Sequence, residues 1–95
     1  MIMKYIRKIN LTEAKRFFIK IDAEHFPMFP GIKEEFTLVV KKKKFEVNID
    51  RQRRLWAFKF RSLVDFSHDS IFEITKDEEN IFYLKQIDLK KIFKD

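Results

Sequence analysis

Three guanidinium groups and a side-chain amide stand together at Arg51-Gln52-Arg53-Arg54. Arginine presents a planar fork of N–H donors that matches phosphate oxygens or the O6/N7 edge of guanine, and glutamine can pair in the same way with adenine. On one side of this run Phe45, Val47 and Ile49 alternate with Glu46, Asn48 and Asp50. On the other, Trp56, Phe58 and Phe60 alternate with Leu55, Ala57 and Lys59. Both flanks have the period of a half-buried strand, so the spacing predicts a hairpin over residues 45–60 with a cationic tip. Hairpin tips ordinarily use Gly, Asn or Asp, which accept the turn's backbone angles at little cost. A long-armed, forked tip suits entry into a groove of double-stranded DNA. A solvated turn with surplus charge explains the hairpin, taken alone, equally well.

Other chemistries find less support. A phosphate-cradling loop needs several glycines, and Gly31 is the only one, which excludes nucleotide hydrolysis of that type. With no cysteine, thiol catalysis, thiolate zinc sites and disulfides are excluded, and a reducing cytoplasm is compatible. Neither histidine has a metal-ligand partner at useful spacing: His25 reads as a packing or capping residue and His68 as a solvated one. Asp77, Asp88 and Lys90 stand in the order a metal-dependent nuclease would use, as does Glu73 near Lys76. Such pairs arise by chance in a chain with 38% charged residues, so neither catalysis nor a cofactor is expected of this chain.

The elements that must position the tip are short strands. Ninety-five residues suffice for one core, and twelve Phe with two Pro and one Gly argue against disorder. Lysine and arginine exceed the acids by 21 − 15 = 6, a balance that favours polyanionic partners, nucleic acid before an anionic membrane surface. No secretory leader and no membrane span is legible, and the cytoplasm is the expected location. Strands are predicted at 4–9, 17–22 (Phe17, Ile19 and Ile21 inward), 36–40 (Phe36, Leu38 and Val40 inward), 71–75 and 81–87, beside the two of the hairpin. Thr12 could cap a short helix whose first turn carries Glu13, and helical turns are expected from Ala23 and over 61–66. Lys41 to Lys44 read as a solvated sheet-end turn with at most general phosphate attraction. Leu89, Ile92 and Phe93 suggest a short amphipathic helix. The expected architecture is mainly β, a seven-stranded open barrel with two or three short helices. A domain over 1–88 would be followed by a tail or linker start at 89–95, as in the N-terminal module of a longer protein.

The run from Arg7 to Gly31 resembles the opening of the B3-type DNA-binding pseudobarrel of plant transcription factors and bacterial restriction enzymes. Leu11-Thr12, the strand Phe17 to Asp22 and the turn Ala23-Glu24-His25-Phe26-Pro27 follow in that family's order. His68-Asp69-Ser70-Ile71-Phe72-Glu73-Ile74 is similar to its Gly-Asp-hydrophobic strand entry, with His68 where Gly is usual. The composition looks most like the target-recognition module of McrBC-like, LlaJI-type restriction systems. That resemblance implies a non-catalytic module that binds double-stranded DNA, fused to or associated with a motor or nuclease subunit that carries the catalysis.

It further implies two arms that clamp the major groove, an N-arm over 10–16 and a C-arm over 48–56, with the Lys41–Lys44 turn at the other end of the barrel. Base reading would fall to Arg51, Gln52, Arg53 and Arg54, helped by Asn10, Asn48 and Asp50, the last accepting from cytosine or orienting an arginine. Lys8, Thr12, Lys15 and Arg16 would hold phosphates. Trp56 reads as a core anchor rather than a stacking platform. The alternative function is a single-strand-binding barrel that stacks bases on Phe18, Tyr5 or Tyr83.

Overall fold

The computed structural model describes residues 3–87. Seven strands run in the order β1 (Met3–Lys8), β2 (Phe18–Lys20), β3 (Phe36–Val40), β4 (Lys43–Val47), β5 (Arg54–Trp56), β6 (Ile71–Lys76) and β7 (Phe82–Ile87). Among the described residues one α-helix, α1 (Leu11–Arg16), joins β1 to β2, and 3-10 turns lie at Phe26–Met28 and Arg61–Leu63. Five strands form one mixed sheet in the order β1-β6-β7-β3-β4, and β2 with β5 forms a separate antiparallel ribbon. Among the described residues the two sheets meet in backbone pairing only at the isolated bridge Ile49↔Leu55, so the barrel is open.

The core lies between the sheet and the ribbon. Alternation in β3 places Phe36, Leu38 and Val40 inward, as their spacing predicts. From the ribbon Ile19 and Leu55 enter the same cluster, joined by Ile9, Ile21, Ile49, Ala57 and Phe60 from its flanks. Phe29, Phe36 and Phe82 interlock, with Phe29 and Phe82 stacked at 5.1 Å. Strand β6, between β1 and β7, breaks alternation because Glu73, on its outer side, is covered by the ammonium groups of Lys4 (3.2 Å) and Lys85 (3.3 Å).

Several expectations need correction. The hairpin over 45–60 is only two residues deep: β4 stays in the large sheet, while β5 leaves to pair with β2. Its second strand ends at Trp56 rather than Phe60, because the Ala57 carbonyl accepts from the N–H groups of Phe60 and Arg61 and so closes the next turn. Alternation also breaks there, Leu55 and Ala57 being buried together with Phe60 while Phe58 is exposed. Phe17 precedes β2 and caps α1 in the left-handed region (φ 62°). The turn after Ala23 becomes helical only at Phe26 and includes Pro27 instead of stopping at it. Register sets the Lys41–Lys42 turn at the far end of β4 from the 48–54 loop, but at the sheet end where β1 finishes. The helix expected through Leu89, Ile92 and Phe93 and the boundary at 88 lie outside the described residues.

Candidate nucleic-acid interface

Each arm is shaped by one carboxylate. At the N-arm, Asn10 rather than Thr12 caps α1: its Oδ1 accepts from Glu13 N–H (2.8 Å), and Glu13 Oε1 accepts from Asn10 N–H (3.1 Å). This reciprocal capping box follows from an Asn-x-x-Glu spacing. Glu13 is almost fully buried and also accepts from Arg7 Nη2 (2.9 Å) and from the backbone N–H of Lys20 (2.7 Å). Burial works against the charge of Arg7, yet the bonded carboxylate holds its guanidinium above the ordinary arginine range. The helix is thereby fixed to β1 and β2 together. Asn10, Thr12, Lys15 and Arg16 remain on its exposed surface.

At the C-arm, Arg53 N–H donates to the Asp50 carbonyl and Asp50 N–H to the Arg54 carbonyl, closing a three-residue tip. Arg53 occupies the left-handed position (φ 60°) that glycine usually takes in such loops. That backbone costs about 1–2 kcal/mol for a residue with a Cβ, and Arg53 Nε offsets it by donating to the Ile21 carbonyl at 3.0 Å. The Asp50 carboxylate accepts from Gln52 N–H, Arg54 N–H, Arg54 Nε and Trp56 Nε1, all at 2.8–3.0 Å. Partial burial opposes its ionisation, but these four donors outweigh it and hold its carboxyl below the usual aspartate range.

The four residues of the cationic run therefore differ. Arg51 and Gln52 are exposed at the tip, as is Asn48 at its root. Arg53 is half-buried on the Ile21 carbonyl. Arg54 is held by Asp50 and lies over Trp56, 4.8 Å from the ring centroid. Asp50 is the loop's organiser, and orienting an arginine is the role its geometry supports. Lys8 sits at the root of the N-arm, exposed, with a loose 3.6 Å pairing to Asp69.

Between the arms lies the outer face of the β2–β5 ribbon. Phe18, Lys20, Arg54 and Trp56 share this face, opposite the core-facing Ile19 and Leu55. Trp56 is thus not a core anchor: it stands outside the core cluster and packs against Phe18 (5.2 Å), with Arg16 and Arg54 over its ring. Lys20, which the sequence reading passed over as the polar alternate of a strand, joins the arms. Its backbone N–H bonds Glu13, while its ammonium donates to the Gln52 carbonyl at 2.5 Å. Only the pairing of β2 with β5, elements distant in sequence, brings it there, a long-range fact with no local signal. Arg61, 4.2 Å over Phe17, and Phe58 were missed for the same reason.

The single-strand alternative loses two of its three platforms, since Tyr5 and Phe18 are buried; Tyr83 is exposed and donates to Asp77. Among the described residues no group of three or more acids and histidines could hold a metal ion, and no helix is long and apolar enough to cross a membrane. Asp77 spends its carboxylate on its own turn, accepting from Glu79 N–H, Ile81 N–H and Tyr83 OH. Asp88 and Lys90 lie outside the described residues.

The architecture is shared with a solved structure, the N-terminal domain of Helicobacter pylori LlaJI.R1. The TM-score is 0.73 at 18% identity, over 94% of this chain and 82% of that one. The likeness is one of fold, and it is the relation that the LlaJI-type resemblance anticipated. No protein-family model and no curated protein matches the chain.

Proposed function

We propose that this domain recognises a sequence in double-stranded DNA from the major groove, gripping it with the N-arm (10–16) and the C-arm (48–56), as the target-recognition module of a restriction system. The observation that carries the reading is the basic face between the arms, where Lys20 ties one arm to the other. The fold shared with the LlaJI.R1 N-terminal domain supports it. Lys8, Thr12, Lys15 and Arg16 neutralise phosphates and set register. Arg51 and Gln52, free at the tip, reach base edges, with Asn48 and Asn10 beside them. Arg53 and Arg54 keep their Nε engaged and contribute to base reading through their remaining guanidinium N–H groups, while Asp50 holds the tip's shape. Catalysis resides elsewhere, in a motor or nuclease subunit to which this cytoplasmic domain is fused or bound.

A randomised-duplex selection at two salt concentrations tests this reading. A defined motif should emerge at both, while overall affinity falls steeply with salt, as phosphate contacts require. Retention of duplexes without any motif would reduce the function to charge attraction. Preferential retention of single strands would move it to the other class.

A further inference from the structure

Phe58 is 58% exposed, more than Leu11 (53%) or Ile6 (52%), yet its ring is held in place. It lies nearly parallel to Trp56, with centroids 5.6 Å apart and planes 8° from each other, and meets Phe17 at 6.0 Å. Trp56 is itself fixed to Asp50 through its indole N–H, so Phe58 is positioned by the base of the C-arm rather than by the core. Three cations surround the stack: Arg16 and Arg54 over Trp56, and Arg61 over Phe17. A phenyl ring in such company can neither pair with phosphate nor answer the donors and acceptors of a base edge. The apolar feature that bases present in the major groove is the C5-methyl of thymine. A cytosine methylated at C5 carries the same group at the same ring position.

We propose that Phe58 is a specificity-determining residue that packs on the C5-methyl group of one pyrimidine in the gripped duplex, while Arg16 and Arg61 hold the flanking phosphates. The proposal rests on the duplex-reading function above and adds a readout that the polar groups of the arms cannot supply. Burying a single methyl group changes affinity by about fourfold.

The 95-residue chain is used to select from three randomised duplex libraries. One carries thymine, one deoxyuridine in place of thymine, and one 5-methylcytosine in place of cytosine. The winning duplexes are then titrated with single methyl groups removed or added. The wild type should lose about fourfold when one pyrimidine loses its methyl. The library in which that position is enriched tells thymine from 5-methylcytosine. Phe58→Ala should bind more weakly and become indifferent to that methyl. Ile6→Ala, similarly exposed but on the outer side of β1, should keep the full effect. Equal methyl sensitivity in the wild type and Phe58→Ala, or none at any position, overturns the assignment. So does a Phe58-dependent gain on duplexes with an unpaired base, which would make the ring a base-stacking platform. Failure to select a motif from any library would instead overturn the duplex-reading function itself.

Discussion

Glu13 shapes the N-arm from inside the protein, whereas Asp50 shapes the C-arm from its surface. Each carboxylate gathers backbone and side-chain donors, and each includes an arginine among them. Their surroundings differ: the Glu13 side chain is 1% exposed and that of Asp50 22%. The N-arm is therefore part of the fold, since its carboxylate also receives the first turn of α1 and the backbone of β2. The C-arm tip is set by bonds within residues 50–56, by two bonds between Arg53 and Ile21 and by the Lys20 ammonium on the Gln52 carbonyl, so the exposed side chains of Arg51 and Gln52 can change while the core stays intact. Built this way, one arm is fixed and the other is open to variation.

The largest effect should come from the buried member of the pair. Glu13→Ala leaves Arg7 and two backbone N–H groups without their acceptor and should cost about 3 kcal/mol of stability in denaturant unfolding. A loss near that of a surface substitution would remove the distinction between the arms. Asp50→Ala should cost less, about 1–2 kcal/mol, because water can reach the donors it abandons. Its discrimination between specific and scrambled duplex should nevertheless fall, because Gln52, Arg54 and Trp56 lose their common anchor.

A control at the far end of β4 from the C-arm loop sharpens the contrast. Lys41 and Lys42 both hold left-handed backbone (φ 50° and 71°) in the β3–β4 turn, where asparagine and glycine are usual. Lys42→Gly should stabilise the protein by about 1 kcal/mol and leave sequence discrimination unchanged, as measured by melting and competition binding.

The smallest effect is one of acidity. The folded state holds the carboxyl of Asp50 below its ordinary value, as it does that of Asp22, where burial is outweighed by hydrogen bonds with His25. Stability from such groups is present above the unfolded aspartate pKa of about 3.9 and is lost as pH falls through the lowered folded value. Asp50→Asn should therefore flatten the stability profile below about pH 4, with the Asp22 share remaining. An unchanged acid limb would mean that Asp50 is bonded no better in the folded chain than in the unfolded one.

What could be read without coordinates followed locality. Alternation in Phe36-Thr37-Leu38-Val39-Val40 determines both a strand and its buried face, and the structure agrees residue by residue. The Asn10-x-x-Glu13 spacing held the true cap, although Thr12 drew the assignment. Period alone misled where a strand changes partners. In Leu55–Phe60 it has one reading for a strand that stays with β4 and the opposite one for a strand that leaves for β2. That is why Trp56, expected as a core anchor, stands on the outer face. The role of Lys20 depends on its reach to Gln52 through the pairing of β2 with β5, which no local window contains.

The claim at the centre is that the free tip of the C-arm reads bases while the N-arm holds phosphates, and one competition titration addresses it. Arg51→Ala and Lys15→Ala are each measured against selected and scrambled duplex at two salt concentrations. Arg51→Ala should lose about 1–3 kcal/mol on the selected duplex and little on the scrambled one. Lys15→Ala should weaken both alike and reduce the salt dependence by about one counterion. If Arg51→Ala weakened both duplexes equally, or neither, the arms would not be reading DNA.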